Sequence, residues 1–347
     1  MRLAELTTLR LGGPAGRLVE ARTEAELVDA VRDGDARGEP LLVLAGGSNV
    51  VVADAGWPGT VVRVATRGVE RHDTLLDAQA GEPWEPFVAH CVAEGLAGVE
   101  CLSGIPGSVG ATPIQNVGAY GQEVADAIVS VRAYDRRSGD VGELDREACA
   151  FTYRSSAFKR HQGRWVVLAV RFALQASPRS QPIRYAELAR ALGVEPGGRA
   201  PLAEVREAVL ALRRSKGMVI DAADPDSVSA GSFFTNPILD LRDFARLQER
   251  VREKLGPEAA PPRFPEPDGR VKTSAAWLVE RAGFVRGHGL PGPVALSTKH
   301  TLALTNRGGG TTAQLVALAR EVAAGVQREF GVALVPEPVF VGHRWAA

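Results

Sequence analysis

The sequence holds 347 residues, 45% of them hydrophobic and 24% charged, which excludes a disordered chain, a collagen and a disulfide scaffold. Lysine plus arginine total 41 and aspartate plus glutamate total 41, so the formal charge is zero and no nucleic-acid-coating surface or acidic tail is indicated. At roughly 150 residues per domain the length implies two domains, or three small ones. In chain order, 17–21 predicts a strand and 23–37 a helix, with Thr23 as N-cap and Glu26 completing a capping box. Residues 40–45 and 50–53 predict two more strands around a GGSN turn, giving a small α/β unit. Short strands and a helix near 83–95 follow, then a long glycine-rich loop at 101–123. Strands are predicted at 126–135 and 164–175, a helix at 201–216, a proline-rich linker or long loop at 255–270 and a helix over 277–282. An amphipathic helix at 312–330 and a terminal strand at 332–341, interrupted by Pro336 and Pro338, complete the chain.

Cys91, Cys101 and Cys149 fit no zinc spacing and read as small buried thiols, so no metal is expected. The opening MRLAELTTLRLGG lacks the apolar core of a signal peptide, and no apolar run nears the roughly 20 residues a bilayer requires. A cytoplasmic location is expected.

Several segments could carry chemistry. Consecutive glycines in GGSN let the backbone approach a ligand and expose an anion-binding nest, with Ser48 and Asn49 adding side-chain bonds; a plain hairpin is the other reading. The 101–123 loop interleaves glycines with Ser103, Ser108, Gln115, Asn116 and Tyr120, as a flat polar ligand would need; a floppy surface loop is the other reading. Ile105, Val109, Ile114 and Val117 look too apolar for a loop in solvent. Arg154, in YRSSAFK, could clamp a carboxylate, or be one surface arginine among many. Ser232, in AGSFFTNP, has no nucleophile-elbow pattern and no neighbouring histidine. Glu337 stands between two prolines, either as a positioned acid or as an edge-strand charge.

Taken together, TLRLGGPA (8–15), LAGGSNVVVAD (44–54), GIPGSVGATPIQNVGAYGQE (104–123), YRSSAFK (153–159), RRSKGM (213–218), AGSFFTNP (230–237), KTSAAWLVERAGF (272–284) and VPEPVFVG (335–342) resemble, in order and over nearly the whole chain, the UDP-N-acetylenolpyruvoylglucosamine reductase family. The resemblance implies an α+β chain of the PCMH/vanillyl-alcohol-oxidase type. Two α+β FAD-binding subdomains, 1–66 and 67–217 with 331–347, would be joined by a third α+β substrate-binding domain, 218–330. It implies NADPH-dependent reduction of UDP-N-acetylglucosamine enolpyruvate to UDP-N-acetylmuramate through FAD, a step of peptidoglycan precursor synthesis. Arg154, Ser232 and Glu337 fall on the family's catalytic positions. The cofactor would lie along Ala45, Gly46, Gly47, Ser48, Asn49 and Val50, along Ser103, Ile105, Pro106, Gly107, Ser108, Gly110, Ala111, Gln115 and Gly118, and against Arg213. Lys216 and Asn236 fall on positions that contact the UDP-sugar diphosphate, Tyr120 lies on the substrate side, and Tyr185 matches the tyrosine that folds over substrate in the subclass possessing that loop. Arg281 departs from the glutamine common in relatives, and 217–231 is longer than in shorter-looped members. No histidine or cysteine stands where a tether would, so the FAD is expected to be non-covalent. The expected partners are the UDP-sugar and NADPH alone, with no nucleic acid and no membrane, and the chain is expected to be a monomer. A flavin oxidase and a non-catalytic binding protein of the same fold are the competing readings.

Overall fold

A computed structural model describes residues 1–345. The chain forms two units: one takes Met1–Arg2, Pro14–Ser48 and Trp57–Ile220, the other Leu3–Gly13, Asn49–Gly56 and the residues from Asp221 onward.

The first unit begins with β1 (Ala15–Ala21), α1 (Glu24–Ala36) and β2 (Leu41–Leu44). Thr23 caps α1 as predicted: its Oγ1 accepts from the Glu26 amide at 3.2 Å while Glu26 accepts from the Thr23 amide at 3.2 Å. The next strand, β3 (Val50–Val52), belongs to the second unit. β4 (Trp57–Val64) returns to the first and lies between β1 and β2, parallel to both, in a three-stranded sheet. The crossover that a parallel pair requires is α1, whose Leu27 and Val31 are fully buried.

A second sheet is antiparallel. It comprises β5 (Val69–His72), β6 (Leu75–Gln79), β7 (Ile128–Asp135), β8 (Asp140–Asp145) and β9 (Trp165–Ala173), in the order β8-β7-β9-β6-β5. α2 (Trp84–Ala93) supplies Trp84 and Phe87, which meet Phe172 with ring centroids 5.0–6.1 Å apart. Burying Trp84 strands its indole N–H unless it is bonded, and it donates to the Leu102 carbonyl at 3.1 Å. Truncating such a ring typically costs about 3–5 kcal/mol. Two helices, α3 (Ala186–Ala191) and α4 (Leu202–Ser215), build a smaller apolar cluster from Leu188, Val205 and Val209.

The second unit contains β10 (Ser229–Ser232), α5 (Leu241–Leu255), α6 (Ala275–Arg281), β11 (Val294–Leu296), β12 (Ala303–Asn306), α7 (Thr312–Phe330) and β13 (Val339–Val341). β10 and β11 flank β12, and β13 pairs with β3 in parallel, Val339 opposite Val50. α7 spans the predicted residues: Thr311 and Gln314 form its capping box.

Three sequence expectations need correction. The terminal strand is confined to β13, because Pro336 and Pro338 have no N–H for a ladder; 332–338 runs extended and holds on through single bonds such as Thr235 N–H to the Val335 carbonyl at 3.0 Å. α5 was not expected at all. Its many charges obscure a stripe of Phe244, Leu247 and Val251, all buried, behind an Asp240 cap whose Oδ1 accepts from the Asp243 amide at 2.7 Å. Ile114, expected to be shielded, is 36% exposed.

Candidate active site

β2 ends at Leu44, so the GGSN turn leaves a strand of one sheet and enters β3, a strand of another. That removes the hairpin reading. In the first unit the turn meets the 104–110 loop at van der Waals contact: a Cβ on Gly46 would lie 2.6 Å from the Gly107 Cα, and one on Gly107, whose φ is +121°, would lie 2.7 Å from the Ser48 Oγ. Only glycine permits this approach. The loop is not floppy. The Val109 amide donates to the Glu82 carbonyl at 2.8 Å, the Gly110 amide to the Ala80 carbonyl at 2.9 Å, and Ser103 and Val109 are fully buried. Ser103 Oγ is committed to the Glu100 carbonyl at 2.7 Å, and the Ala111 amide to the Ser108 carbonyl at 3.0 Å. Ala45, Ile105, Pro106, Gln115 and Gly118 are partly open, while Gly47 is buried.

Two buried polar atoms fit an anionic, extended ligand here. Ser108 Oγ and Arg213 Nε have no hydrogen-bond partner among the described residues. Arg213 projects from α4 beside Gly104, donates from Nη2 to the Met218 carbonyl at 2.8 Å, and is 9% exposed. Burial pushes its pKa down to about 10, which still leaves a cation at neutral pH. A buried cation bonded to a carbonyl alone is costly, and a phosphate is the kind of group that would relieve it. The residues present therefore fit a dinucleotide cofactor.

On the substrate-side cluster of the same unit, Tyr120 meets Tyr185 edge-on at 5.4 Å, and the Lys216 Nζ sits 5.7 Å from the Tyr120 ring centre. Burial pushes the Tyr120 phenol up to about 12, so it remains a neutral donor. Lys216 caps the C-terminus of α4, and its Nζ donates to Glu187 Oε2 at 2.6 Å. Glu187 was not singled out from the sequence; its place two residues after Tyr185 carried no chemical pattern.

Arg154 lies on a tight turn with φ of +53°, and Asn116 and Tyr120 share that left-handed backbone at +47° and +50°. Such strain in non-glycine residues clusters where geometry is functional. Arg154 Nη2 donates to the Gly118 carbonyl at 2.7 Å, fixing the guanidinium to the loop. A Cβ on Gly118 would come within 3.1 Å of Arg154 Nη1, so any larger residue there would press on the guanidinium.

In the second unit, Ser232 ends β10 opposite Ala303. The aromatics after it, Phe233 and Phe234, are each 1% exposed and anchor the turn. Glu337 stands on the adjacent segment, its N–H donating to the Phe233 carbonyl at 2.8 Å. Asn49 reaches the same segment: its carbonyl accepts from the Val339 amide at 2.9 Å, and its side chain donates to the Glu337 carbonyl at 3.4 Å. Asn236 Oδ1 accepts from the Ala275 amide at 3.0 Å, capping α6 and leaving its NH₂ as the donating end. Arg281, at the end of α6, is exposed over the Trp277 ring at 5.9 Å. The structure thus gathers Ser232, Glu337 and Asn49 in one unit, and Arg154, Arg213, Tyr120, Tyr185 and Lys216 in the other.

A separate hollow of about 400 Å³ on the open face of the five-stranded sheet is lined by Glu24, Asp77, Arg132 and Arg171. Two of its arginines are already neutralised, Arg171 by Asp77 and Arg132 by Glu24, unlike Arg213.

Residues 224–341 match the family model for the UDP-N-acetylenolpyruvoylglucosamine reductase C-terminal domain, and 15–145 match that for an FAD binding domain. The reductase of Thermobifida fusca is 60% identical over 345 residues, covering 98% of this chain and 96% of the relative. That of Streptomyces coelicolor is also 60% identical, over 341 residues, covering 98% and 89%. The solved structure of the Thermus caldophilus reductase superposes with a TM-score of 0.67 at 24% identity, covering 98% and 97%, a likeness of fold. The chain belongs to the UDP-N-acetylenolpyruvoylglucosamine reductase family, FAD-dependent oxidoreductases of peptidoglycan synthesis.

Proposed function

We propose that this chain reduces the enolpyruvyl ether of UDP-N-acetylglucosamine to the lactyl ether of UDP-N-acetylmuramate with NADPH, using Arg154, Ser232 and Glu337 as its catalytic residues. The observation that supports the residue assignment is the Glu337–Phe233 backbone bond at 2.8 Å, which ties the Glu337 segment to the residue that follows Ser232. When bound, FAD supplies the two-electron transfer between NADPH and C3 of the enolpyruvyl group. The residues 45–50, with Ser103, 105–108, Gly110, Ala111, Gln115 and Gly118, hold it through close backbone approach, and Arg213 answers its phosphates. The FAD is read as non-covalent, since no histidine or cysteine stands at a tethering position in the proposed cofactor loops.

Charge accumulates on the substrate carboxylate as C3 is reduced. Arg154, fixed by the Gly118 carbonyl, offsets that charge, a contribution of roughly 3–4 kcal/mol for one well-placed donor. Glu337 shares a proton with the same carboxylate, since two carboxylates in proximity do not both stay ionised. Ser232 delivers the proton to C2. Lys216 and the Asn236 NH₂ bind the diphosphate, Tyr120 lines the substrate, and Tyr185 covers it, as in the subclass with that loop.

The domain reading remains 1–66 and 67–217 with 331–347 for FAD, and 218–330 for substrate; residues 346 and 347 lie outside the described residues. The protein is read as a cytoplasmic monomer. Among the described residues no helix is long and apolar enough to cross a membrane.

The test is NADPH oxidation by the purified yellow protein, with and without the enolpyruvyl UDP-sugar. Stoichiometric UDP-N-acetylmuramate is expected. Oxygen consumption with a sugar alcohol and no response to the enolpyruvyl substrate would favour the oxidase.

A further inference from the structure

Lys216 does not wait for its ligand with an idle charge. Its Nζ is 2.6 Å from Glu187 Oε2, with the two side chains 28% and 38% exposed. Glu187 sits in the first turn of α3, a six-residue helix whose N-cap, Tyr185, provides no side-chain cap. So short a helix has almost no stability of its own and depends on its attachments. Leu188 and Ala189 are buried on one side, and on the other the ion pair to Lys216 and the ring contact of Tyr185 with Tyr120 hold it. The carboxylate that anchors the Tyr185 segment is thus the one that covers the proposed diphosphate contact.

We propose that Glu187 is an internal competitor for the nucleoside diphosphate: it neutralises Lys216 until a phosphate takes the ammonium. This rests on the reading of Lys216 as a diphosphate contact. A half-exposed lysine–carboxylate pair contributes little net energy, so a ligand with two or more negative charges displaces it readily. Exchange in place of capture lowers affinity by the cost of breaking the pair. Glu187 is a positioning residue and touches no reacting atom.

The experiment is calorimetric titration of UDP into the FAD-loaded protein. Glu187→Gln keeps the shape and removes the competing charge, and its dissociation constant should fall about twofold to fivefold at low salt. The gap should narrow at about 0.5 M salt, where a half-exposed pair is already screened. Lys216→Met should weaken UDP, and Glu187→Gln added to it should gain nothing. Unchanged or weaker binding by Glu187→Gln, with Lys216→Met still impaired, overturns the competition alone. A gain that persists in the double variant also overturns it, because the carboxylate would then act through general repulsion. Wild-type affinity in Lys216→Met overturns the reading of Lys216 and the competition with it. Should Glu187→Gln fold poorly, Glu187→Ser is read by the same criteria.

Discussion

The Glu337 N–H donates to the Phe233 carbonyl at 2.8 Å, and it is the one backbone donor that 336–338 can offer, since both its neighbours are prolines. This bond fixes the spacing of Glu337 from Ser232, and the carboxylate takes no part in it. Side-chain variants at 337 therefore separate chemistry from folding. Glu337→Gln retains a hydrogen-bond donor and should keep more activity than Glu337→Ala, and both should still fold, since the backbone bond is untouched. Wild-type turnover by Glu337→Ala, measured by UDP-N-acetylmuramate formation, would return this residue to an edge-strand role.

Ser232→Ala should divide the reaction in two. Bleaching of the yellow absorbance by NADPH needs no proton at C2 and should proceed near the wild-type rate. Product formation should slow by about 10²–10⁴, the usual worth of a positioned proton donor. Stopped-flow traces slowed equally in both halves would remove Ser232 from this role.

Arg213 offers a test of cofactor binding apart from activity. In the chain without FAD its guanidinium is buried with Nε unpartnered among the described residues, so Arg213→Met should leave the apo-protein as stable as wild type or more so. The same change should weaken FAD by about 1.5–3 kcal/mol, the loss expected of a charged hydrogen bond. Differential melting with and without FAD reads both numbers. Heat or acid should meanwhile release FAD from wild type into the supernatant, and colour retained on the precipitate would contradict non-covalent binding.

Asp226 predicts acid sensitivity. Burial works against its ionisation, but bonds from Thr298 and Ser297 and the Arg307 guanidinium prevail and hold the carboxyl below the usual range. A carboxyl lowered in the folded chain adds stability above its unfolded value, near about 3.9, and that stability is lost as pH falls through the folded value. Urea unfolding should show the wild type weakening below about pH 4. Asp226→Asn should cost about 3 kcal/mol at pH 7, because Arg307 loses its partner, and should flatten the acid slope. A variant with the wild-type slope would exclude Asp226 as its source.

Local signals carry much of the architecture. The capping boxes at Thr23 and Thr311 set the starts of α1 and α7 because their partners lie three residues away. The proposed catalytic set and cofactor loops rest on family-specific motifs alone, since neither Ser232 nor Glu337 has a local pattern that separates it from an ordinary serine or an edge charge. What stayed hidden was long-range or masked. The apolar stripe of α5 is diluted by arginine and glutamate, and Glu187 acquires meaning only from Lys216, which folding brings to it from the next helix. Likewise, nothing local distinguishes GGSN as a hairpin from GGSN as a passage between two sheets.

The parallel pairing of β3 with β13 also sets a timetable. Val50 cannot find its partner until Val339 has been made, although the strand itself is among the first sixth of the chain to emerge. At roughly 5–20 residues per second, Val50–Val52 spends on the order of 15–60 s in the nascent chain without the strand that completes it, whereas β1, β2 and β4 can close on one another almost at once. Of the strand pairings among the described residues this one spans the longest stretch of chain, so Val50–Val52 is secured late.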